Sequence, residues 1–152
     1  MPADLAAIRE MLHEYAAWIG LDLSFQHFAQ EVQGLPGDYE PPAGALLIAR
    51  VDDEPAGMVA LRRKSDARCE MKRLFVRSEA RGLGLGRQLA ERIIAEAIAR
   101  GYAEIILDTL PMMKDAQRMY ERFGFVDIEP YYDSPVEGTR FMLLDLRSPA
   151  AR

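Results

Sequence analysis

The run Arg81-Gly82-Leu83-Gly84-Leu85-Gly86 has the residue types and spacing that point most directly to chemistry. It follows an apolar, strand-like stretch and opens a long amphipathic helical pattern. Glycine lets the backbone approach a ligand closely and leaves amide N–H groups unshielded. At a helix N-terminus, those amides and the helix dipole bind phosphate without a lysine or a metal ion. The run therefore predicts a site for a nucleotide-like cofactor.

A dinucleotide-binding turn is the competing interpretation, because glycine-rich turns between a strand and a helix also hold NAD and FAD. Gly82 and Gly84 would supply the first two glycines of that motif. The third would fall at position 87, which is Arg87, and the preceding strand lies in the middle of the chain. The dinucleotide hypothesis therefore ranks second.

Length and composition limit the class of protein. The chain has 152 residues, 49% of them hydrophobic, which suits one domain over residues 1–152 with a single core. Its formal net charge of −5 opposes binding to nucleic acid, because phosphates would repel it. The sequence has no apolar run of the roughly 18 to 20 residues that span a bilayer, so we expect no membrane contact and a cytoplasmic location.

The sequence lacks the side chains that some kinds of site require. The single cysteine, Cys69, cannot form an internal disulfide, and the isolated His13 and His27 lack the spacing of metal ligands. The chain contains no asparagine, so that amide is not available to any mechanism. We expect neither a disulfide nor a metal site.

Hydrophobic periodicity and turn residues predict a mixture of helices and strands. The helices cover residues 5–19, 24–32, 84–100 and 113–123, and the strands cover residues 46–51, 56–61, 69–76, 103–107, 125–128 and 140–146. The run 103–107 is nearly all apolar, as expected of a buried strand parallel to strand 69–76. Residues 34–44, rich in glycine and proline, form a loop long enough to be a lid or a substrate wall.

Two motifs together resemble a known family. The pattern Arg81-x-x-Gly84-x-Gly86 after strand 70–76 is similar to motif A of the GCN5-related N-acetyltransferases, the GNAT family. The pattern Ala116-x-x-x-Tyr120-x-x-x-Gly124-Phe125 looks like that family's closing helix-to-strand motif. The resemblance implies a single-domain α/β fold, with a mixed central sheet, two parallel strands that splay apart, and helices on both faces.

Two departures from the family pattern bear on this resemblance. Members usually begin with a short strand before the first helix, whereas here the helical pattern starts almost at Met1. Many also carry an asparagine before the last helix that holds the pantetheine arm, where this chain has Met112, Met113 and Lys114. We expect backbone groups and apolar contacts to hold the arm instead.

The resemblance implies acetyl-CoA as the cofactor. The backbone of Leu74 and Val76 would pair with the pantetheine amides, and the amides of the glycine turn would hold the diphosphate, with Arg81 and Arg87 adding charge. The expected cofactor residues are Leu74, Phe75, Val76, Arg81, Gly82, Leu83, Gly84, Leu85, Gly86 and Arg87.

Acetyl transfer to an amine requires a base and an acid. An amine with a pKa of about 10.4 is mostly ammonium at neutral pH and must lose a proton before it attacks. Glu70, on the cofactor strand, is the candidate base, although a chain of waters could serve in its place. Tyr120 is the candidate acid, because a phenol keeps its proton at neutral pH and can pass it to the departing thiolate.

The acceptor is expected to be a primary amine of a small molecule. Candidate acceptor-binding residues are Trp18, Phe25, Lys72, Arg73, Tyr131 and Tyr132. A cation at Lys72 or Arg73 would favour an acceptor with a carboxylate, such as an amino acid, unless these side chains pair with Glu70 or Asp108. Acetylation of a protein N-terminus or lysine, and a non-catalytic acyl-CoA-binding domain, stay open as alternatives. Pairing of the closing strands could also give a homodimer.

Overall fold

The structure is a computed structural model that describes residues 2–20 and 27–147. Its elements follow the predicted order. The helices are α1 (Pro2–Ile19), α2 (Phe28–Gln33), α3 (Leu85–Ala99) and α4 (Lys114–Phe123), and the strands are β1 (Ala45–Val51), β2 (Glu54–Arg63), β3 (Arg68–Val76), β4 (Glu104–Thr109), β5 (Val126–Asp127) and β6 (Arg140–Asp145).

The boundaries differ from the predicted ones mainly around α2 and β5. Helix α2 begins at Phe28, and its predicted start at position 24 lies outside the described residues. Strand β5 is shorter than predicted, with two residues. Within the two described ranges, no helix is both long enough and apolar enough to cross a bilayer.

The six strands form one mixed sheet in the order β1-β2-β3-β4-β6-β5. Strands β3 and β4 are parallel, as predicted, and every other neighbouring pair is antiparallel. The parallel pairing runs from Arg68 opposite Glu104 to Glu70 opposite Ile106 and then stops. Beyond that point the two strands separate, so the predicted splayed pair is present.

Helices cover both faces of the sheet, because alternate residues of the central strands are apolar on both sides. Helices α3 and α4 pack on one face, where Ile93, Ile105 and Tyr120 belong to one buried cluster. Helix α1 and the segment from α2 to the short helical turn Gly37–Tyr39 cover the other face with a second cluster around Leu12 and Met58.

A β-bulge interrupts β3 close to the split. Met58 pairs with Phe75 and Ala60 with Lys72, so Arg73 and Leu74 together oppose one residue of β2. Arg73 has φ +61°, a left-handed conformation that is costly for a residue with a side chain. The bulge breaks the strict alternation of β3, and four consecutive residues, Met71 to Leu74, line one cavity.

Candidate active site

A groove of about 400 Å³ runs past the carboxyl end of β3 to the start of α3. Its walls come from the end of β3, from the glycine turn and from α4. The lining residues are Trp18, Leu74, Phe75, Val76, Ala80, Arg81, Gly82, Gly84, Leu85, Gly86, Asp115, Ala116 and Met119. Most of the residues expected to hold the cofactor are therefore brought together here.

The glycine turn leaves its amides open. Gly82 and Gly84 have φ of +87° and +78°, and nothing lies within 4 Å of the place that a Cβ would take in either residue. The first α-helical hydrogen bond of α3 runs from the amide of Gln88 to the carbonyl of Gly84. The N–H groups of residues 85–87 precede that bond and have no helical acceptor. Unpaired amides at a helix N-terminus are a suitable place for an anion.

Arg81 lies along one wall of the groove. Its Nε donates to the carbonyl of Val76 at 3.0 Å. Its guanidinium carbon lies 4.9 Å from the ring centre of Trp18 and 5.9 Å from that of Phe75. Trp18 is 48% exposed, so the structure places this candidate acceptor residue on the cofactor groove.

Two predicted cofactor residues point away from the groove. Leu83 is 57% exposed at the tip of the turn. The Arg87 side chain is largely exposed and pairs with Glu91 one helical turn on, at 3.1 Å. Neither side chain lines the groove, although the backbone amide of Arg87 belongs to the first turn of α3.

A narrow cavity, the throat, fills the gap between the separating strands β3 and β4. Its free volume is about 30 Å³, space for one or two waters. Leu74 lines both the throat and the groove. The throat is lined by Tyr15, Met71, Lys72, Arg73, Leu74, Leu107, Asp108, Leu110, Met113 and Tyr120.

Tyr120 reaches the throat from α4. Its side chain is 6% exposed, and burial raises the pKa of the phenol above its usual value of about 10. Across the described ranges its hydroxyl makes no hydrogen bond to another group, and its ring packs on Phe125. The phenol is therefore protonated at neutral pH, and no acceptor in the described part of the chain holds its proton.

Lys72 and Asp108 face each other across the split. Lys72 Nζ lies 3.7 Å from Asp108 Oδ1, and both side chains are almost fully buried. The Tyr132 hydroxyl donates to Asp108 Oδ2 at 2.5 Å. Burial lowers the pKa of the Lys72 amine, and the charge of Asp108 opposes that shift. The pairing left open for Lys72 in the sequence is therefore the one observed.

Arg73 pairs with Glu31 of α2. Two hydrogen bonds, of 2.9 and 3.0 Å, join the guanidinium to the Glu31 carboxylate. The rings of Tyr15 and Phe28 lie 5.6 and 5.2 Å from the guanidinium carbon. This buried pair fixes α2 to the bulge of β3.

Glu70 is 1% exposed, and both of its carboxylate oxygens have donors. Arg62 Nε donates to Oε1 at 2.8 Å, and the Tyr131 hydroxyl donates to Oε2 at 2.6 Å. Burial, followed by the charges of Glu70 and Asp108, raises the pKa of the Tyr131 phenol. Glu70 is not among the described residues that line the throat or the groove.

A second opening, the outer cavity, lies on the α2 side of the sheet and encloses about 330 Å³. Its wall includes part of the loop 34–44. Within the described residues, the Tyr39 hydroxyl is a buried polar atom that lacks a hydrogen-bond partner. The lining residues are His27, Gln30, Glu31, Gly34, Pro36, Gly37, Asp38, Tyr39 and Arg62.

The candidate acceptor residues from the sequence thus lie in different parts of the structure. Lys72 and Arg73 line the throat, whereas Tyr131 and Tyr132 hold buried carboxylates, and Phe25 lies outside the described residues. Sequence reasoning did not select Tyr15, Glu31 or Tyr39 for the site. It considered Asp108 only as a pairing partner of Lys72 or Arg73. A carboxylate in a nearly apolar, buried strand was nevertheless a signal that Asp108 could belong to the site.

Comparisons with known proteins agree with this geometry. The family model described as "Acetyltransferase (GNAT) family" matches residues 5–125. An uncharacterized N-acetyltransferase of Schizosaccharomyces pombe is 39% identical over 148 residues, which are 96% of this chain and 91% of that protein. The N-acetylaspartate synthetase of Rattus norvegicus is 31% identical over 87 residues, 57% of this chain and 29% of that protein.

Solved structures share the fold. An acetyltransferase from Streptococcus agalactiae superposes with a TM-score of 0.76 at 25% identity, covering 95% of this chain and 93% of that one. A GNAT family acetyltransferase from Elizabethkingia anophelis with acetyl-CoA bound has a TM-score of 0.58 at 20% identity, covering 68% of this chain and 76% of that one.

Proposed function

Because this chain belongs to the GNAT family of acetyltransferases, we propose that it transfers the acetyl group of acetyl-CoA to the primary amine of a small molecule. The observation that carries the proposal is the open glycine turn at the N-terminus of α3, beside the point where β3 leaves β4. A diphosphate fits that turn because its free amides form an anion site and no side chain fills it.

The rest of the groove fits the remainder of the cofactor. After Glu70 the side of β3 that faces β4 has no strand partner, so its backbone groups are available to the pantetheine amides. Ala116 and Met119 of α4 give the groove an apolar wall. Acetyl-CoA, when bound, supplies the thioester carbon that the amine attacks. The structure with acetyl-CoA from Elizabethkingia anophelis supports the same choice of cofactor.

We propose that Tyr120 acts as the general acid. It lines the throat beside Leu74, the residue shared by throat and groove. Its raised pKa keeps the phenol protonated, so it can donate a proton to the thiolate as the thioester breaks. We propose that a backbone N–H near Leu74 meets the developing negative charge on the carbonyl oxygen.

The outer cavity is the proposed acceptor site. Its volume of about 330 Å³ lies in the range of small-molecule pockets. Since Lys72 and Arg73 already pair with Asp108 and Glu31, neither is a free cation for an acceptor carboxylate. Arg62 also lines the cavity, and among the described residues only its Nε is hydrogen-bonded to Glu70. Arg62 is therefore the better candidate to contact an acceptor carboxylate. The relative named N-acetylaspartate synthetase supports testing acidic amines first.

One experiment tests the cofactor and the reaction together. Trp18 is the only tryptophan of the chain and lies on the groove, so its fluorescence should change as coenzyme A is titrated in. Thiol release from acetyl-CoA is then measured with amino acids, amino alcohols, polyamines and a lysine peptide. We expect saturable coenzyme A binding and turnover with at least one small amine.

Three outcomes would contradict the proposal in different ways. Absence of coenzyme A binding would remove the cofactor. Turnover with the peptide alone would point to a protein acceptor. Binding without turnover for every amine would favour the non-catalytic domain. The cytoplasmic location and the homodimer stay predictions.

A further inference from the structure

Asp108 is the carboxylate that faces the throat. It follows Ile106, the last residue of β4 that pairs with β3, so the separation of the strands exposes its side chain to the gap. Tyr120 and Leu74 line the same cavity. An amine that attacks a thioester held beside Tyr120 would therefore lie in the same cavity as Asp108.

The two buried carboxylates differ in the freedom of their oxygens. Both oxygens of Glu70 accept hydrogen bonds, from Arg62 and from Tyr131. Asp108 Oδ2 accepts from Tyr132, whereas Oδ1 accepts no hydrogen bond from any described residue and has only the Lys72 ammonium at 3.7 Å. An ammonium donor in the throat could reach Oδ1 without breaking an existing hydrogen bond, and at Glu70 it would have to displace one.

We infer that Asp108, through Oδ1, receives the proton that the acceptor ammonium must lose before it attacks the thioester. The inference rests on the proposed function and assigns Asp108 the part for which the sequence suggested Glu70. Tyr132 acts as a positioning residue, because its hydrogen bond holds the carboxylate with Oδ1 directed into the throat.

The proton balance of the step is as follows. Asp108 takes one proton from the ammonium and becomes a carboxylic acid. The freed amine forms the C–N bond as the C–S bond breaks, and the departing sulfur takes a proton from Tyr120. The nitrogen loses its second proton, which restores the phenol, and Asp108 passes the first proton to solvent. One ammonium and one thioester thus give one amide, one thiol and one proton.

The charges that face Asp108 come from several elements. Lys72 lies across from it on β3, with Arg73 beyond, and the phenols of Tyr15, Tyr120 and Tyr131 also interact with its charge. Tyr132 bonds to it directly. The Lys72 ammonium lies close enough to stabilise a negative charge on Asp108 in the buried throat.

The competing role for the Lys72–Asp108 pair is structural, an ion pair that holds β3 and β4 together. That role predicts lower stability when Asp108 is replaced, but no change in the pH dependence of the reaction. The acid limb of kcat/KM against pH therefore separates the two roles, because this limb reports the ionisation of the base.

The test compares Asp108→Asn with Glu70→Gln on the best amine found in the thiol-release assay. We expect Asp108→Asn to lower kcat/KM at least about a hundredfold and to remove the acid limb. Glu70→Gln should keep the limb. Coenzyme A binding, followed by Trp18 fluorescence, checks that both variants are folded. Retention of the acid limb in Asp108→Asn, or its loss in Glu70→Gln, would overturn the inference.

A second pair of variants keeps both carboxylates. Tyr132→Phe removes the hydrogen bond to the Asp108 carboxylate, so the acid limb should move to higher pH by about one unit. Tyr131→Phe is the matched control, since it removes the corresponding hydroxyl beside Glu70. It should leave the midpoint pH of the acid limb unchanged. A shift of the acid limb in Tyr131→Phe but not in Tyr132→Phe would overturn the inference and assign the limb to Glu70. Failure of wild-type turnover with every amine would instead overturn the proposed function itself.

Discussion

At the scale of single residues, the centre of the site is a set of buried and half-buried cations that are each matched by a carboxylate. Arg62 pairs with Glu70, Lys72 with Asp108, and Arg73 with Glu31. A buried charge without such a partner is strongly destabilising, so the pairs allow ionised groups to lie close to the throat. Tyr120 is different, because within residues 2–20 and 27–147 no carboxylate accepts a hydrogen bond from its buried hydroxyl, which leaves its proton available to the proposed reaction.

Replacement of Tyr120 by phenylalanine should affect catalysis far more than folding. Tyr120→Phe removes the proposed acid, so kcat should fall about a hundredfold or more, with the KM for acetyl-CoA unchanged. The melting temperature should change little, because the hydroxyl makes no hydrogen bond within the described ranges. Steady-state kinetics and thermal unfolding measure the two effects.

The matched control is Tyr102→Phe. Tyr102 is a buried tyrosine outside the site whose hydroxyl donates to the carbonyl of Ala43 at 2.7 Å. Its replacement should cost about 1 kcal/mol of the free energy of unfolding and leave kcat unchanged. Full activity in Tyr120→Phe would contradict the proposed role of the phenol.

At the scale of elements, the site exists because two parallel strands separate and a helix begins beside the gap. The pairing of β3 and β4 ends after Glu70, and the bulge at Arg73 directs adjacent side chains into the throat. The N-terminus of α3 then brings free amides to the end of the groove. Gly86 lies in the first turn of α3 and lines this groove.

Replacement of Gly86 by alanine should change stability and cofactor binding in opposite directions. The added Cβ would meet only Val76 Cγ2, at 3.8 Å, so it fits the fold and projects into the groove. Alanine also favours a helix over glycine, by up to about 1 kcal/mol. We expect a higher melting temperature and a KM for acetyl-CoA raised about tenfold, equivalent to about 1.4 kcal/mol.

Gly101→Ala, at the other end of α3, provides the contrast. Gly101 has φ +84° with open space around it, so alanine should cost about 1 kcal/mol through backbone strain and leave acetyl-CoA binding unchanged. Wild-type KM in Gly86→Ala would contradict the assignment of the groove.

At the scale of the whole molecule, the sheet is held between two hydrophobic clusters, and α1 is fixed to it by ion pairs. Arg77 joins Glu14 of α1 through two hydrogen bonds, of 3.1 and 2.9 Å, and also donates to the carbonyl of Pro55. Tyr15 of α1 is buried at the throat. Helix α1 and the throat therefore belong to one packed unit.

Alkaline pH should unfold the protein through its buried phenols. Burial raises the pKa values of Tyr15, Tyr120 and Tyr131 in the folded chain above the unfolded value of about 10. Folding therefore favours the protonated phenols, and this contribution is complete below about pH 10 and is lost as the pH rises toward the folded pKa values. We expect the melting temperature to fall steadily above about pH 10.

Phenolate absorbance provides the check on this prediction. Fewer than the six tyrosines of the chain should titrate near pH 10 while the protein is folded, and the remainder should appear as it unfolds. Titration of all six near pH 10, with no loss of stability, would show that burial does not control these phenols.

The sequence alone determined the order of the elements, the glycine turn and the place of Tyr120, because these depend on local properties. Periodicity fixes which face of a helix or strand is buried, and glycine fixes where the backbone can turn and leave amides open. The family motifs combine such local features over residues 70–125, which is why the family could be identified from them.

Only the tertiary structure decided which carboxylate is free. Tyr131 is 61 positions from Glu70, and Glu31 is 42 positions from Arg73, so no local pattern reveals these partners. The bulge at Arg73 depends on the register of β3 against β2, and it overrides the alternation on which the sequence argument relied. Whether a buried charge can do chemistry depends on what distant segments place beside it, because its hydrogen bonds determine whether an oxygen remains open to a substrate.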